Sequence, residues 1–203
     1  NLILFLIISL LLSTFIIRNL DINFLINTIL VTSAFYLFLI TLKDFFLKKF
    51  KNLSQNLAHF SFSLLILSIL FNNFLSTEII TNLKINETYE NDALKINFEG
   101  IEQRDEQNFK AIIGKFVIEH NGGQTDIMQP ELRIYNQPNI ITSEADIKTS
   151  LYKDKFMTMN SVQNQEYFNI RYQVKPFMIW IWLSTFLISL SGLIGFFKKR
   201  YEN

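Results

Sequence analysis

Four apolar stretches punctuate this chain, at residues 2–17, 24–42, 57–75 and 177–197, and between the last two the pattern changes to short alternation. A helix rises 1.5 Å per residue, so a hydrocarbon layer of about 30 Å takes roughly 20 apolar residues. The last three stretches have that length; the first is short, as a truncated helix would be. In the intervening segment Leu94, Ile96 and Phe98 alternate with Lys95, Asn97 and Glu99, the period-two signature of a strand with one buried face. Phe116-Val117-Ile118 and Asp126-Ile127-Met128 flank His120-Asn121-Gly122-Gly123, a hairpin signal, and Arg133-Ile134-Tyr135 and Phe168–Tyr172 read as further strands. Pro130 and Pro138 mark strand ends or edges, and residues 144–152 are expected to form one short helix. The fold class is therefore a mixed membrane protein, with about four transmembrane α-helices and a β-rich extracytoplasmic domain inserted between the last two.

Charge placement sets the orientation. Lys43, Lys48, Lys49 and Lys51 follow the second stretch, and Lys198, Lys199 and Arg200 follow the fourth. Short basic flanks stay on the cytoplasmic side, so the third span runs outward and the fourth inward. This divides the chain into three helices with a basic cytoplasmic loop (1–75), an outer domain (76–175), and a final helix with a basic tail (176–203). Roughly 100 residues suffice for an outer sheet domain with its own core. Trp180 and Trp182 suit an aromatic belt at the outer end of the last span. Phe45, Phe46, Phe50 and Leu53 among the loop lysines fit either an interfacial helix or a solvated basic loop.

Composition narrows the classes further. The chain has 203 residues, 49% hydrophobic and 18% charged, which is too apolar for one soluble domain and too polar for membrane spans alone. A formal net charge of +1 gives no reason to expect nucleic acid. The absence of cysteine excludes disulfides and thiolate metal sites in this chain. Asn1 opens directly onto an apolar run with no basic leader, so the chain reads as a C-terminal fragment or a split subunit whose remainder lies upstream.

His59 is the chemically informative residue, because an ionisable ring within an apolar helix pattern is functional by default. A low dielectric keeps imidazole neutral, and a neutral ring nitrogen is a good iron ligand. Haem ligation is the first reading, a proton relay the second, and a histidine packed at a helix interface the third. Gln55 and Ser63, one turn either side, are candidates to orient the ring and leave room for a macrocycle. Ser54, Ala58, Ser61, Leu65 and Ser68 form an adjacent stripe suited to close helix packing. His120, at a Gly-rich turn, reads as a solvated hairpin residue. Glu131 and Arg133 share one strand face, as does Tyr135, where they bind a partner or form a salt bridge; Glu144 reads as a helix-capping residue and is a further partner-facing candidate. No nucleophile–base pair, paired carboxylates or phosphate cradle stands out, and the catalytic residues are unknown.

Several blocks, in order from Ala58 to the end, resemble the CcmF family of system I cytochrome c maturation. Ala58-His59 resembles its transmembrane Ala-His motif. Asn86-Glu87-Thr88-Tyr89 is similar to the Gly-Glu-Thr that opens its outer domain, and Asn108–Ala111 with Gly114-Lys115-Phe116 to the next block. Pro130-Glu131-Leu132-Arg133-Ile134-Tyr135 resembles Pro-Glu-x-Arg-x-Tyr, Thr142–Ile147 resembles Thr-Glu-Ala-Ala-Ile, and Arg171–Trp182 resembles the entry into the last helix. Ser61 and Ser184 stand where the family pattern has glycine, and Ser150 where Asp often precedes Leu-Tyr.

The resemblance implies a part of a cytochrome c haem lyase, attaching haem to apocytochrome c on the outer face, with the transfer site on the upstream part. It implies a CcmE-type haem chaperone, a CcmH-type apocytochrome carrier and the upstream part or a sister subunit as partners. It also implies a b-type haem in the membrane, with His59 as one axial ligand and the second from outside this chain. His59 lies near the cytoplasmic end of its span, which suits electron relay better than direct haem delivery. The setting is a bacterial or mitochondrial inner membrane, the outer domain facing the periplasm or intermembrane space. The competing readings are a membrane-tethered binding module without haem, and part of a proton-coupled transporter.

Overall fold

The computed structural model describes residues 2–20, 23–47, 52–162 and 166–201, and the chain divides into two compact units. The first holds helices α1 (Leu2–Arg18), α2 (Phe24–Leu47), α3 (Leu53–Leu75) and α4 (Met178–Tyr201). Of the four expected spans, three are long and apolar enough to cross a membrane, Phe24–Leu47, Leu53–Leu75 and Met178–Lys198; α1 has 17 residues. The helix α2 continues to Leu47, so Phe45 and Phe46 form its last turn. Phe45 stacks on Phe60 at 5.4 Å while Phe46 stays exposed. Phe45 and Phe46 thus belong to a longer α2, neither to a separate interfacial helix nor to a solvated loop, and Phe50 lies outside the described residues.

Lipid tails are as apolar as leucine, so helices in a bilayer associate through close packing and hydrogen bonds rather than by expelling water. The seams follow that rule. Between α1 and α2, the Ser13 and Thr32 hydroxyls lie 2.5 Å apart. Between α2 and α3, the Thr41 and Ser63 hydroxyls lie 2.7 Å apart, flanked by the Phe38–Phe60 and Phe35–Phe71 ring pairs. Between α3 and α4, Ser54 Oγ donates to the Ser191 carbonyl at 2.8 Å, and Asn72 Nδ2 donates to the Pro176 carbonyl at 2.6 Å at the other end. A Cβ on Gly195 would sit 2.6 Å from Ser54 Oγ, so the backbones approach closely only because that side chain is absent. Ser61 and Ser184 are fully buried, each hydroxyl spent on a carbonyl of its own helix. Serine therefore serves at both of these close-packed positions.

The second unit, Ser76–Lys175, is a β-sandwich. Its strands are β1 (Thr77–Leu83), β2 (Thr88–Glu90), β3 (Leu94–Asp105), β4 (Phe109–His120), β5 (Thr125–Met128), β6 (Glu131–Tyr135), β7 (Ile141–Glu144), β8 (Asp146–Thr149), β9 (Lys153–Ser161) and β10 (Phe168–Pro176). One sheet runs β1-β10-β9-β8; the other runs β2-β3-β4-β6-β7, with β5 also paired to β4. Inward residues of both meet in one core, where Phe98 stacks on Phe116 at 4.3 Å and Phe168 meets Phe98 edge-on. Gly114 faces this core: a Cβ there would lie 2.6 Å from the Phe116 ring and 2.7 Å from Met159 Sδ. The hairpin β4–β5 turns through Gly123 at φ 76°, a conformation glycine adopts without strain.

Two expectations are corrected here. Residues 144–152 form no helix; they make the end of β7, all of β8 and the turn into β9, with Ile147 opposite Phe156. Ile141, Thr142, Ile147 and Thr149 are β-branched and pack better on a pleated surface than on a helix. His120 is no solvated turn residue. On β4 it shares the inward row of Phe116 and Ile118, as Asp126 shares that of Met128 and Lys155 that of Met157. These three close one end of the core. His120 Nε2 lies 2.9 Å from Asp126 Oδ2 and 3.2 Å from Lys155 Nζ, and Lys155 also binds Asp126 directly.

Burial opposes the charge on Asp126, but the hydrogen bonds from Lys155 and His120 outweigh it and hold the carboxyl below its ordinary range. Nearby, burial pushes the Tyr172 phenol well above its usual range and the Asp126 charge adds to that; its hydroxyl has no hydrogen-bond partner among the described residues.

Two stability tests follow from these packings. Gly195→Leu should cost about 1–3 kcal/mol by overpacking the α3–α4 seam, whereas Gly192→Leu, which points into open space, should leave thermal unfolding in detergent nearly unchanged. With its folded-state pKa depressed, Asp126 stabilises fully above the ordinary carboxylate range and loses that contribution as pH falls through the lowered value. Asp126→Asn should therefore cost about 1–3 kcal/mol at neutral pH, leaving Lys155 uncompensated, and should flatten the acid limb of a melting-temperature profile.

Candidate functional site

The helix α3 presents three faces. Ser63 and Phe60 face α2, Ser54 faces α4, and a third line of side chains is left open. Gln55, His59, Phe62, Ile69 and Asn73 make up that line at helical spacing, all exposed, with Phe62 at 53%. His59 makes no hydrogen bond or ion pair among the described residues. Within this chain it neither packs against α2 or α4 nor donates to a neighbouring carbonyl among the described residues. Gln55 shares its face one turn earlier. Ser63 does not: its hydroxyl is committed to the Phe60 carbonyl and to Thr41, which places it in the α2 seam.

Among the described residues, no group of three or more His, Cys, Asp or Glu is clustered to hold a metal ion. The open imidazole can supply one ligand to an iron centre, and any further ligand must come from another chain or segment. An exposed ring with an uncommitted nitrogen could hold a haem iron, which would supply one-electron chemistry there.

The other predicted residues converge in the second unit. The β4–β6 ladder pairs Phe109 with Tyr135, and the β6–β7 ladder pairs Glu131 with Glu144 and Arg133 with Thr142. Arg133 is held at 3.0 Å by Glu131 and at 4.0 Å by Glu144, with its guanidinium 5.1 Å from the Phe109 ring. Hydrogen bonding to Glu131 and then Tyr135 raises its pKa further. Glu144 caps no helix; it lies on an edge strand in this network. Arg104 reaches the same site from β3, pairing with Glu131 at 3.2 Å and Glu106 at 3.1 Å.

Such half-exposed pairs contribute only about 0–1 kcal/mol to folding. Residue spacing could link Glu131 with Arg133, but only strand register brings in Arg104 and Phe109.

The comparisons with known proteins agree with this architecture. Residues 74–176 match the family model described as the CcmF C-terminal beta-sandwich. The Cytochrome c-type biogenesis protein CcmF of Pseudomonas fluorescens is 24% identical over 73% of this chain and 22% of its own length. That of Escherichia coli K12 is 22% identical over 71% of this chain and 22% of its length. The Cytochrome c-type biogenesis protein ccl1 of Rhodobacter capsulatus is 27% identical over 62% and 19%. The chain thus spans about a fifth of the curated relatives it matches. A solved structure titled Cytochrome c Heme Lyase CcmF superposes with a TM-score of 0.69, covering 94% of this chain and 33% of that one, at 18% identity. With its sandwich matched across about half of its length and its helices included in the superposition, the chain belongs to the CcmF family as a C-terminal portion.

Proposed function

We propose that this chain serves cytochrome c biogenesis by donating His59 as one axial ligand to a membrane b-type haem, whose second ligand comes from the upstream part or a sister subunit. The observation that carries the reading is the state of His59: an exposed imidazole, unpartnered among the described residues, on a span whose other two faces are occupied by α2 and α4. A polar ring facing hydrocarbon is costly unless something engages it. When bound, such a haem supplies one-electron transfer. The part of this chain is to supply the ring nitrogen, with Gln55, one turn earlier on the same exposed face, to accept from the other ring N–H and fix the tautomer.

In this reading haem attachment to apocytochrome c takes place on the outer face, at a transfer site on the upstream part, with a CcmE-type chaperone and a CcmH-type carrier. The Glu131–Arg133–Tyr135–Glu144 surface supports a partner-docking role for the sandwich alongside it. The compartment is the periplasm, or the intermembrane space in a mitochondrial setting. A proton relay has less support, since His59 has no titratable partner among the described residues.

In the purified full-length assembly, His59→Ala should abolish the low-spin Soret band of the membrane haem; an undiminished band with unchanged haem content would refute ligation. Gln55→Ala should weaken haem retention by roughly 10-fold or more, read by dilution or competition with apomyoglobin. For orientation, this chain contributes no cysteine of its own to the labelling background. A cysteine at Gln124 should react with an impermeant maleimide from the outer side and one at Lys49 only after permeabilisation.

A further inference from the structure

We propose that the hairpin β8–β9 is a membrane-docking element that binds the phosphate of an anionic lipid headgroup while its tip enters the interfacial layer. The tip is Leu151-Tyr152, exposed at 63% and 75%, an apolar and an aromatic side chain at a turn where polar residues are the norm. The turn is closed by hydrogen bonds: Ser150 Oγ donates to the Lys153 carbonyl at 2.6 Å, and the Ser150 N–H reaches the same carbonyl at 3.2 Å. The tip is therefore presented in one shape.

Behind it lies a pocket of about 330 Å³ lined by Lys148, Lys153, Lys155, Gln124, Thr149, Ser150 and Asp126. Three ammonium groups face one carboxylate, and that carboxylate is already engaged by Lys155 and His120, with Lys148 4.0 Å away. The surplus is positive, carried chiefly by Lys148 and Lys153, and amide and hydroxyl donors line the rest. A tetrahedral phosphate is the complementary guest.

A lipid rather than a free anion is favoured by the tip and by its place in the fold. A soluble phosphate has no use for an exposed Leu-Tyr pair beside its site, whereas Tyr and a neighbouring aliphatic side chain are suited to the headgroup layer. Lys175 lies over Phe156 at 5.2 Å, and Thr77 pairs with Val174. The hairpin tip thus belongs to the end of the sandwich at which the chain enters and leaves, and that chain continues into the apolar helices α3 and α4. This inference stands independently of haem ligation by His59.

The test uses the full chain in lipid nanodiscs, with an environment-sensitive fluorophore on a single cysteine at Leu151. In discs containing phosphatidylglycerol, its emission should shift to the blue and be quenched by lipids spin-labelled near the headgroup; discs of phosphatidylcholine alone should show several-fold less. The double variant K148Q/K153Q should bring the anionic discs to the neutral level, since lysines near an anionic surface are what couple binding to lipid charge. A label at Gln107, in the β3–β4 turn at the opposite end of the sandwich, should report water in both. The proposal is overturned by a water-like Leu151 label in anionic discs, by contact that ignores both lipid charge and the lysine changes, or by loss of contact on adding millimolar inorganic phosphate, which would mark a free-anion site.

Discussion

The arrangement depends on one constraint, that in a bilayer a helix gains nothing by hiding leucine from lipid. What holds these helices together is therefore a sparse set of hydroxyls and missing side chains. Thr41 meets Ser63, Ser54 meets the Ser191 carbonyl, and Gly195 leaves room for that meeting. Each contact fixes the rotation of α3 about its own axis. With two faces committed, the third is determined, and it is the face that carries Gln55 and His59. The direction of the His59 ring is thus set by serine and glycine contacts on the other sides of the same helix.

Much of this was legible in the chain. Apolar runs marked the helices, period-two alternation marked β3, and the Gly-rich turn marked the β4–β5 hairpin, because each depends on local pattern and backbone freedom. The serine stripe of α3 was also readable, since small residues at helical spacing have few uses other than close packing. The assignment of Ser63 to the open face failed for a related reason: one turn along a helix is not quite one face, and a hydroxyl that falls near a seam is captured by a neighbouring hydroxyl.

What escaped the sequence was long-range register. Glu144 looked like a helix cap because acid residues favour helix starts, yet its strand pairs with Glu131 and places it beside Arg133. His120 looked solvated because it borders two glycines. Only the alternation of β4, carried two residues past Ile118, turns its ring inward toward Asp126 and Lys155. Charged residues that close a core leave no hydrophobic trace, so neither composition nor periodicity could announce them.

The pairing of β1 with β10 carries a mechanical meaning. Because the first and last strands of the sandwich are partners from Thr77 with Val174 to Leu83 with Phe168, both ends of the insert are clasped about 5 Å apart, one strand spacing. The insert behaves as a cassette whose loops can lengthen, shorten or change sequence without altering the gap that its flanking helices must bridge, which leaves its outer loops free to diverge while its anchorage stays constant.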